Sequence, residues 1–151
     1  MTWSRAAIEA SIESRRRHAM MHVKKVDQAR ASHKPSTKAK QVIAAQGEDR
    51  IRKLLGVGPT SRGYPVDAHG RGWGVEIKTL MDNKNNKITM HPSSMLRKTA
   101  WAAAQHAKLH TVAIDARSKN KQMYYKAGVG AFRMTSMKPI SSGQLGRTIF
   151  G

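Results

Sequence analysis

Hydrophobic and polar residues fall into blocks of different period along this chain. Residues 1–34 hold good helix formers and neither Gly nor Pro, but the Arg15–Arg16–Arg17 run interrupts any continuous apolar stripe. A helix that is polar most of the way round packs poorly on a core, so this block is expected to be a basic arm on phosphate, a partner chain or solvent. Pro35 closes the arm, and Ser36 is a suitable N-cap for a helix over about 37–55. Its inward stripe runs Ala44, Glu48, Ile51, Leu55, which places a carboxylate among the core-facing positions. Gly56 ends that helix and "GVGPTSRG" is a loop.

Two strands are predicted over about 64–68 and 73–80, turning at "HGRG". After the polar turn "DNKNNK", the short "ITM" is read as continuing the sheet. Pro92 and two serines open an Ala-rich helix over about 94–108, and "HTVAIDA" is a strand. "KQMYYKAGVGAFRM" reads as a hairpin around Gly128 and Gly130, and the stretch from Lys138 is Ser- and Gly-rich with no visible pattern. The order helix, hairpin, helix, strand, hairpin predicts an α/β domain with a mixed sheet.

Charge changes the picture most. With 28 Lys and Arg against nine Asp and Glu, the 151-residue chain carries a formal charge of +19 and a pI near 11.1. Such a charge self-repels unless a polyanion neutralises it, so nucleic acid is the expected partner. No apolar run approaches the ~18–20 residues that span a bilayer, and the first residues lack the apolar centre of a signal peptide. Cysteine is absent, which excludes disulfides, thiolate catalysis and cysteine zinc sites. The expected location is cytoplasmic, on DNA.

Against this basic background, "YPVDAHGRGWGVEIKTL" sets Asp67 and Glu76 in apolar, strand-like surroundings, with Lys78 close behind. A two-residue turn at Gly70 and Arg71, or a four-residue loop, places Asp67 opposite Gly74. Either register puts Asp67, Glu76 and Lys78 on one face and Val66, Val75 and Ile77 on the other. Two carboxylates and an ammonium on one face, with Glu48 on the preceding helix, suit Mg²⁺ (or Mn²⁺) holding waters and a phosphate. The plainer reading of the same residues is a cross-strand ion pair. Lys98 and Gln105 on the second helix could contact phosphate or a metal-bound water but are read as surface polar residues, and Trp73 and Trp101 could stack on bases but are read as core or rim packing.

Pro65–Val66–Asp67, followed nine residues later by Glu76–Ile77–Lys78, resembles the PD-(D/E)xK nuclease superfamily. That group includes restriction endonucleases and archaeal-type Holliday junction resolvases. The resemblance covers roughly residues 38–116 and implies a core of helix, β-meander, helix and strand. It also implies that Asp67, Glu76 and the Ile77 carbonyl ligate the metal, that Lys78 is the catalytic lysine, and that Glu48 is the acid on the first core helix. Val66 between Pro and Asp departs from the pattern. "VEIKTLMDNKNNKITMHP", "KLHTVAIDAR" and "YYKAGVGAFR" are similar to segments of phage head-morphogenesis proteins and their appended nuclease domains.

The expected organisation is a basic helical arm over 1–35, a nuclease-like α/β domain over 36–137 and a tail over 138–151. The expected activity is Mg²⁺-dependent hydrolysis of DNA phosphodiesters, and the resemblance implies that the cleaved end carries a 5′ phosphate. Arg15, Arg16, Arg17, Lys24, Lys25 and Arg71 would bind double-stranded or branched DNA, in a homodimer able to cut two strands. A phage origin would add capsid or packaging proteins as partners and a place in the virion. The alternatives are a non-enzymatic DNA-binding or packaging protein, and a metal-independent ribonuclease toxin using His91 or His110.

Overall fold

The computed structural model describes residues 4–17, 37–81 and 86–151, in two compact units, Met1–Lys40 and Gln41–Gly151. In the first unit, helix α1 spans 5–17. The Ser4 hydroxyl accepts from the Ala7 N–H at 3.2 Å as its N-cap, and Arg5–Glu9 and Glu13–Arg17 pair one turn apart. Arg15, Arg16 and Arg17 are exposed on this helix, whereas Lys24 and Lys25 lie outside the described residues.

The second unit is built on a five-stranded mixed sheet. Helix α2 (Thr37–Leu55) begins in the first unit and continues into the second, whose further elements are β1 (Ala68–Gly70), β2 (Trp73–Leu80), β3 (Lys87–Ile88), α3 (Pro92–Gln105), β4 (Lys108–Asp115), β5 (Met123–Ala127), β6 (Phe132–Arg133), β7 (Lys138–Ile140) and α4 (Ser142–Phe150), with a 3₁₀ turn at Met134–Ser136. The strand order is β1-β2-β4-β5-β7, with β2 and β4 parallel and the other pairs antiparallel. A parallel pair needs a crossover, and α3 supplies it.

Strand register sorts the side chains into two faces. Trp73, Val75 and Ile77 share one with His110, Val112, Ile114 and Met123, and the main core forms there with Ile51 and Leu55 of α2 and Leu145 and Ile149 of α4. Gly74, Glu76 and Lys78 point to the other, where α3 packs. Residues 73–77 are all buried, as expected of a central strand covered on both sides. Two glycines let helices approach closely. A Cβ at Gly47 of α2 would lie 2.8 Å from the Thr79 hydroxyl, and one at Gly74 would lie 2.5 Å from the Trp101 ring of α3.

Several sequence expectations give way here. The predicted strand over 64–68 is instead a bend through Pro65–Asp67, with β1 beginning at Ala68. β3 does not continue the main sheet, so there is no three-stranded meander: β3 pairs with β6 in a separate two-stranded ladder. The hairpin expected around Gly128 and Gly130 is absent for the same reason. Gly128, at φ +86, and Gly130, at φ +158, turn the chain out of the main sheet instead of folding β6 back on β5. Residues 138–151 are not a featureless tail, because β7 and α4 deliver Ile140, Leu145 and Ile149 to the core. A capping box at Ser141 and Gln144 starts α4.

Candidate functional site

The β1–β2 hairpin turns through Arg71 and Gly72, the latter at φ +82, and pairs Gly70 with Trp73 and Ala68 with Val75. The expected pairing of Asp67 with Gly74 does not form, because Gly74 pairs with His69 and the ladder ends at Ala68. Glu76 and Lys78 share one face of β2. Asp67 approaches them from the bend, where its carboxylate bonds the Ile77 N–H and lies in the field of Glu76.

Asp67 lies just outside the ladder. Its N–H donates to the Val75 carbonyl at 3.1 Å, and its side-chain Oδ2 accepts from the Ile77 N–H at 2.8 Å. The carboxylate thereby takes over the backbone donor that a longer β1 would have satisfied. Ile77 enters the site through that N–H. Arg52 of α2 donates through Nε to the Asp67 carbonyl at 2.9 Å and pairs with Glu48 at 3.3 Å and Asp49 at 3.6 Å. Asp49 therefore pairs at i+3 with Arg52, not at i+4 with Lys53.

Glu76 is buried, with 5% of its surface exposed. Oε1 lies 3.4 Å from Lys78 Nζ and Oε2 lies 2.8 Å from Lys98 Nζ. Lys98 also donates to the Pro65 carbonyl, and its contact with Oε2 is an ion pair without hydrogen-bond alignment. Lys98 is itself buried at 8% exposure, which corrects its reading as a surface residue. Its place between two proline- and strand-borne acceptors carried no sequence signal beyond a cation at helical spacing. Gln105 is exposed, as expected.

Electrostatics in this cluster are unbalanced. Burial pushes the Asp67 carboxyl up to about 6, and the negative charges of Glu76 and then Glu48 add to the rise, against the Ile77 N–H and Lys98, which lower it. Asp67, Glu76 and Glu48 therefore lie within one another's field, although among the described residues no group of three acids or histidines converges as a metal-binding set. The donor chemistry fits a divalent ion held by two carboxylates, Asp67 and Glu76, with substrate oxygens and water completing its shell. Glu48 is already engaged by Arg52 and stands further out.

The raised Asp67 has a consequence for stability. Its folded pKa exceeds the usual 3.8, so the folded chain holds the proton more tightly between about pH 4 and pH 6. The stabilisation is full below pH 4 and is lost as pH rises to 6, an effect on the order of 2–3 kcal/mol. Asp67→Asn keeps an acceptor for the Ile77 N–H and removes the charge. In chelator it is expected to exceed the wild type in stability above pH 6 and to converge with it near pH 4. Denaturant titrations at both pH values check this, and parallel pH curves for the two chains would refute it.

No protein-family model, curated protein or solved structure matches the chain. The reading of the site therefore stands on its geometry.

Other candidates take different places. Arg71 is exposed at the hairpin tip. His91 is exposed and caps α3, its Nδ1 accepting from the Ser93 N–H at 3.2 Å. His110 is 1% exposed beneath the main core face, with Nδ1 2.6 Å from the Tyr125 hydroxyl, and burial pushes its pKa down. An imidazole so enclosed does not face a substrate. The sequence also has two histidine pairs at i, i+4 that spacing alone makes conspicuous. His106 caps the end of α3 and His110 lies in β4, so that pair shares no helix face, and His18 and His22 lie outside the described residues. Among the described residues, no helix is long and apolar enough to cross a membrane.

Proposed function

We propose that this protein is a divalent-metal-dependent nuclease acting on the backbone phosphates of DNA. The observation that carries the reading is the approach of Asp67, bonded to the Ile77 N–H, to the buried Glu76, whose charge and whose surroundings raise Asp67 to about pKa 6 while two lysines flank Glu76. A structural ion pair needs one acid and one base. Asp67 is a second carboxylate, raised first by burial and then by the charge of Glu76, and a bound cation would lower it again.

Asp67 and Glu76 would hold the metal, which when bound supplies Lewis acidity toward a phosphoryl oxygen and an acidified water. Lys78, with its side chain 37% exposed, is the member of the cluster free to swing from Glu76 toward a phosphate or its attacking water. Lys98 is buried and tied to Pro65, so its part is to hold Glu76 in orientation. The Ile77 N–H fixes the Asp67 carboxylate. The charge of +19, with exposed Arg15, Arg16, Arg17 and Arg71, would supply salt-dependent phosphate contacts.

One observation favours a rival. Lys78 and Lys98 already neutralise Glu76, as they would in a DNA-binding or packaging protein without catalysis. Incubating labelled duplex, single-stranded and four-way-junction DNA with Mg²⁺, Mn²⁺ or EDTA separates the two. Cleavage that needs the metal and is lost in Asp67→Asn is expected. Tight binding without cleavage of any substrate in either metal would establish the rival, and full activity in EDTA would refute the metal.

A further inference from the structure

Beside the carboxylates stands a cluster of three aromatic rings. Tyr64 and His69 stack with centroids 4.3 Å apart at 15°, and Trp101 meets both edge-on at 6.0 and 5.9 Å. The Trp101 indole N–H donates to the Tyr64 hydroxyl at 2.9 Å. All three rings are part-exposed. They are also rigidly held, since the Arg97 guanidinium donates to the Gly63 carbonyl at 2.8 Å and Lys98 donates to that of Pro65. Three residues within one turn of α3 thus grip three successive residues of the loop.

Position relates the rings to the acids. His69 is two residues beyond Asp67, and its cross-strand partner Gly74 is two residues before Glu76. Strand rise puts Gly74, the partner of His69, about 7 Å from Glu76 on the same face of β2. Trp101 covers Gly74 there, and it lies one helical turn beyond Lys98. Exposed Arg62 precedes the group in sequence, and exposed Arg71 stands at the hairpin tip. At about 3.4 Å per nucleotide in a stacked strand, a base one or two nucleotides from a phosphate at the carboxylates falls over these rings.

We infer that Tyr64, His69 and Trp101 form a stacking platform for an unpaired nucleobase, which makes single-stranded or frayed DNA the preferred ligand. Bases within a continuous duplex present only their edges, so a ring platform beside the backbone gains from a strand only where its bases are free. Base–aromatic stacking is tolerant of sequence, and it adds to the phosphate contacts that the net charge supplies to any DNA. The link from this platform to cleavage rests on the nuclease reading, whereas the binding itself does not.

The test is a binding cycle in EDTA, where nothing is cut. Fluorescence anisotropy measures the affinity of a labelled single-stranded oligonucleotide and of the same strand with abasic sites in place of its central bases. The wild type is expected to bind the abasic strand about tenfold more weakly. His69→Ala and, separately, Trp101→Leu should bind the two strands within about twofold of each other, because the ring that the base touches is impaired. Tyr64→Phe keeps the ring and loses only the hydroxyl bond to Trp101, so it should retain the wild-type preference. Melting curves establish that each chain is folded. Equal discrimination by the wild type and both ring variants, or its loss in Tyr64→Phe, overturns the platform. A chain that stacks bases but cuts nothing would leave the platform standing and remove the nuclease.

Discussion

Lys98→Met is expected to lower folding stability at pH 8 by about 3–5 kcal/mol, the range for stripping one partner from a buried ion pair. The figure is large against the roughly 5–15 kcal/mol that holds a domain of this kind together. Among the described residues Glu76 pairs with two cations, and Lys98 is the closer and more deeply buried of them. Without it, the buried Oε2 loses its cation and the Pro65 carbonyl loses its donor. Lys78 stays 3.4 Å from the other oxygen, but its part-exposed ammonium is screened by water. The damage should depend on pH in a defined sense. The stranded carboxylate will take up a proton more readily in the folded state, so the deficit should shrink as pH falls. The double variant Glu76→Gln/Lys98→Met should recover most of the loss, since removing both charges avoids leaving either unpaired. Chemical denaturation of the two variants at pH 5 and pH 8 is the measurement, and a single variant within about 1 kcal/mol of wild type would refute a stabilising role for the pair.

Glu76→Gln, in turn, should reduce metal-dependent DNA cleavage by more than about 100-fold. Outer-shell partners of metal ligands typically cost 10–100-fold, and a group in direct contact with the ion should cost more. Affinity for uncut DNA, measured in EDTA, should stay within about twofold, because counterion release from the many Lys and Arg carries it. Glutamine leaves Lys98 buried beside an amide, so the folded double variant described above is the proper reference for activity. If Glu76→Gln cleaves at the wild-type rate, Glu76 belongs to the frame of the fold and not to its chemistry.

The parts of the fold legible in the sequence were those with strong local signals. Helix α2 is readable from Pro35 to Gly56, and it occupies Thr37–Leu55 as expected. The strand at Trp73–Leu80 likewise appears where its apolar run lies. That Asp67 and Glu76 belong to one hairpin region was legible, but the register of that hairpin was not. Turn length fixes the partner, and a Gly-rich turn such as "HGRG" admits turns centred at either end. The separate β3–β6 ladder was not readable, because a two-residue strand has no period and its partner lies more than forty positions away. α4 was missed for a different reason. Its Gly143 and Gly146 suggested a loop, yet Ser141 with Gln144 is a legible capping signal, and Leu145 and Ile149 repeat at a helical step. The buried state of Lys98 comes from tertiary contacts alone, and so does the ring cluster, whose members are 5 and 32 residues apart in sequence.

The docking of α4 has a bearing on the order in which the molecule comes into being. Leu145 and Ile149 roof the core face of β2 and β4, and Phe150 meets Trp73 edge-on at 5.3 Å. A chain made from its N-terminus at about 5–20 residues per second exposes Asp67, Glu76 and their lysines several seconds before that roof exists. During the interval the parallel pairing of β2 with β4, a contact distant in sequence, has an open apolar side. The strand that carries Glu76 and Lys78 therefore gains the full cover of its core face only when α4 docks.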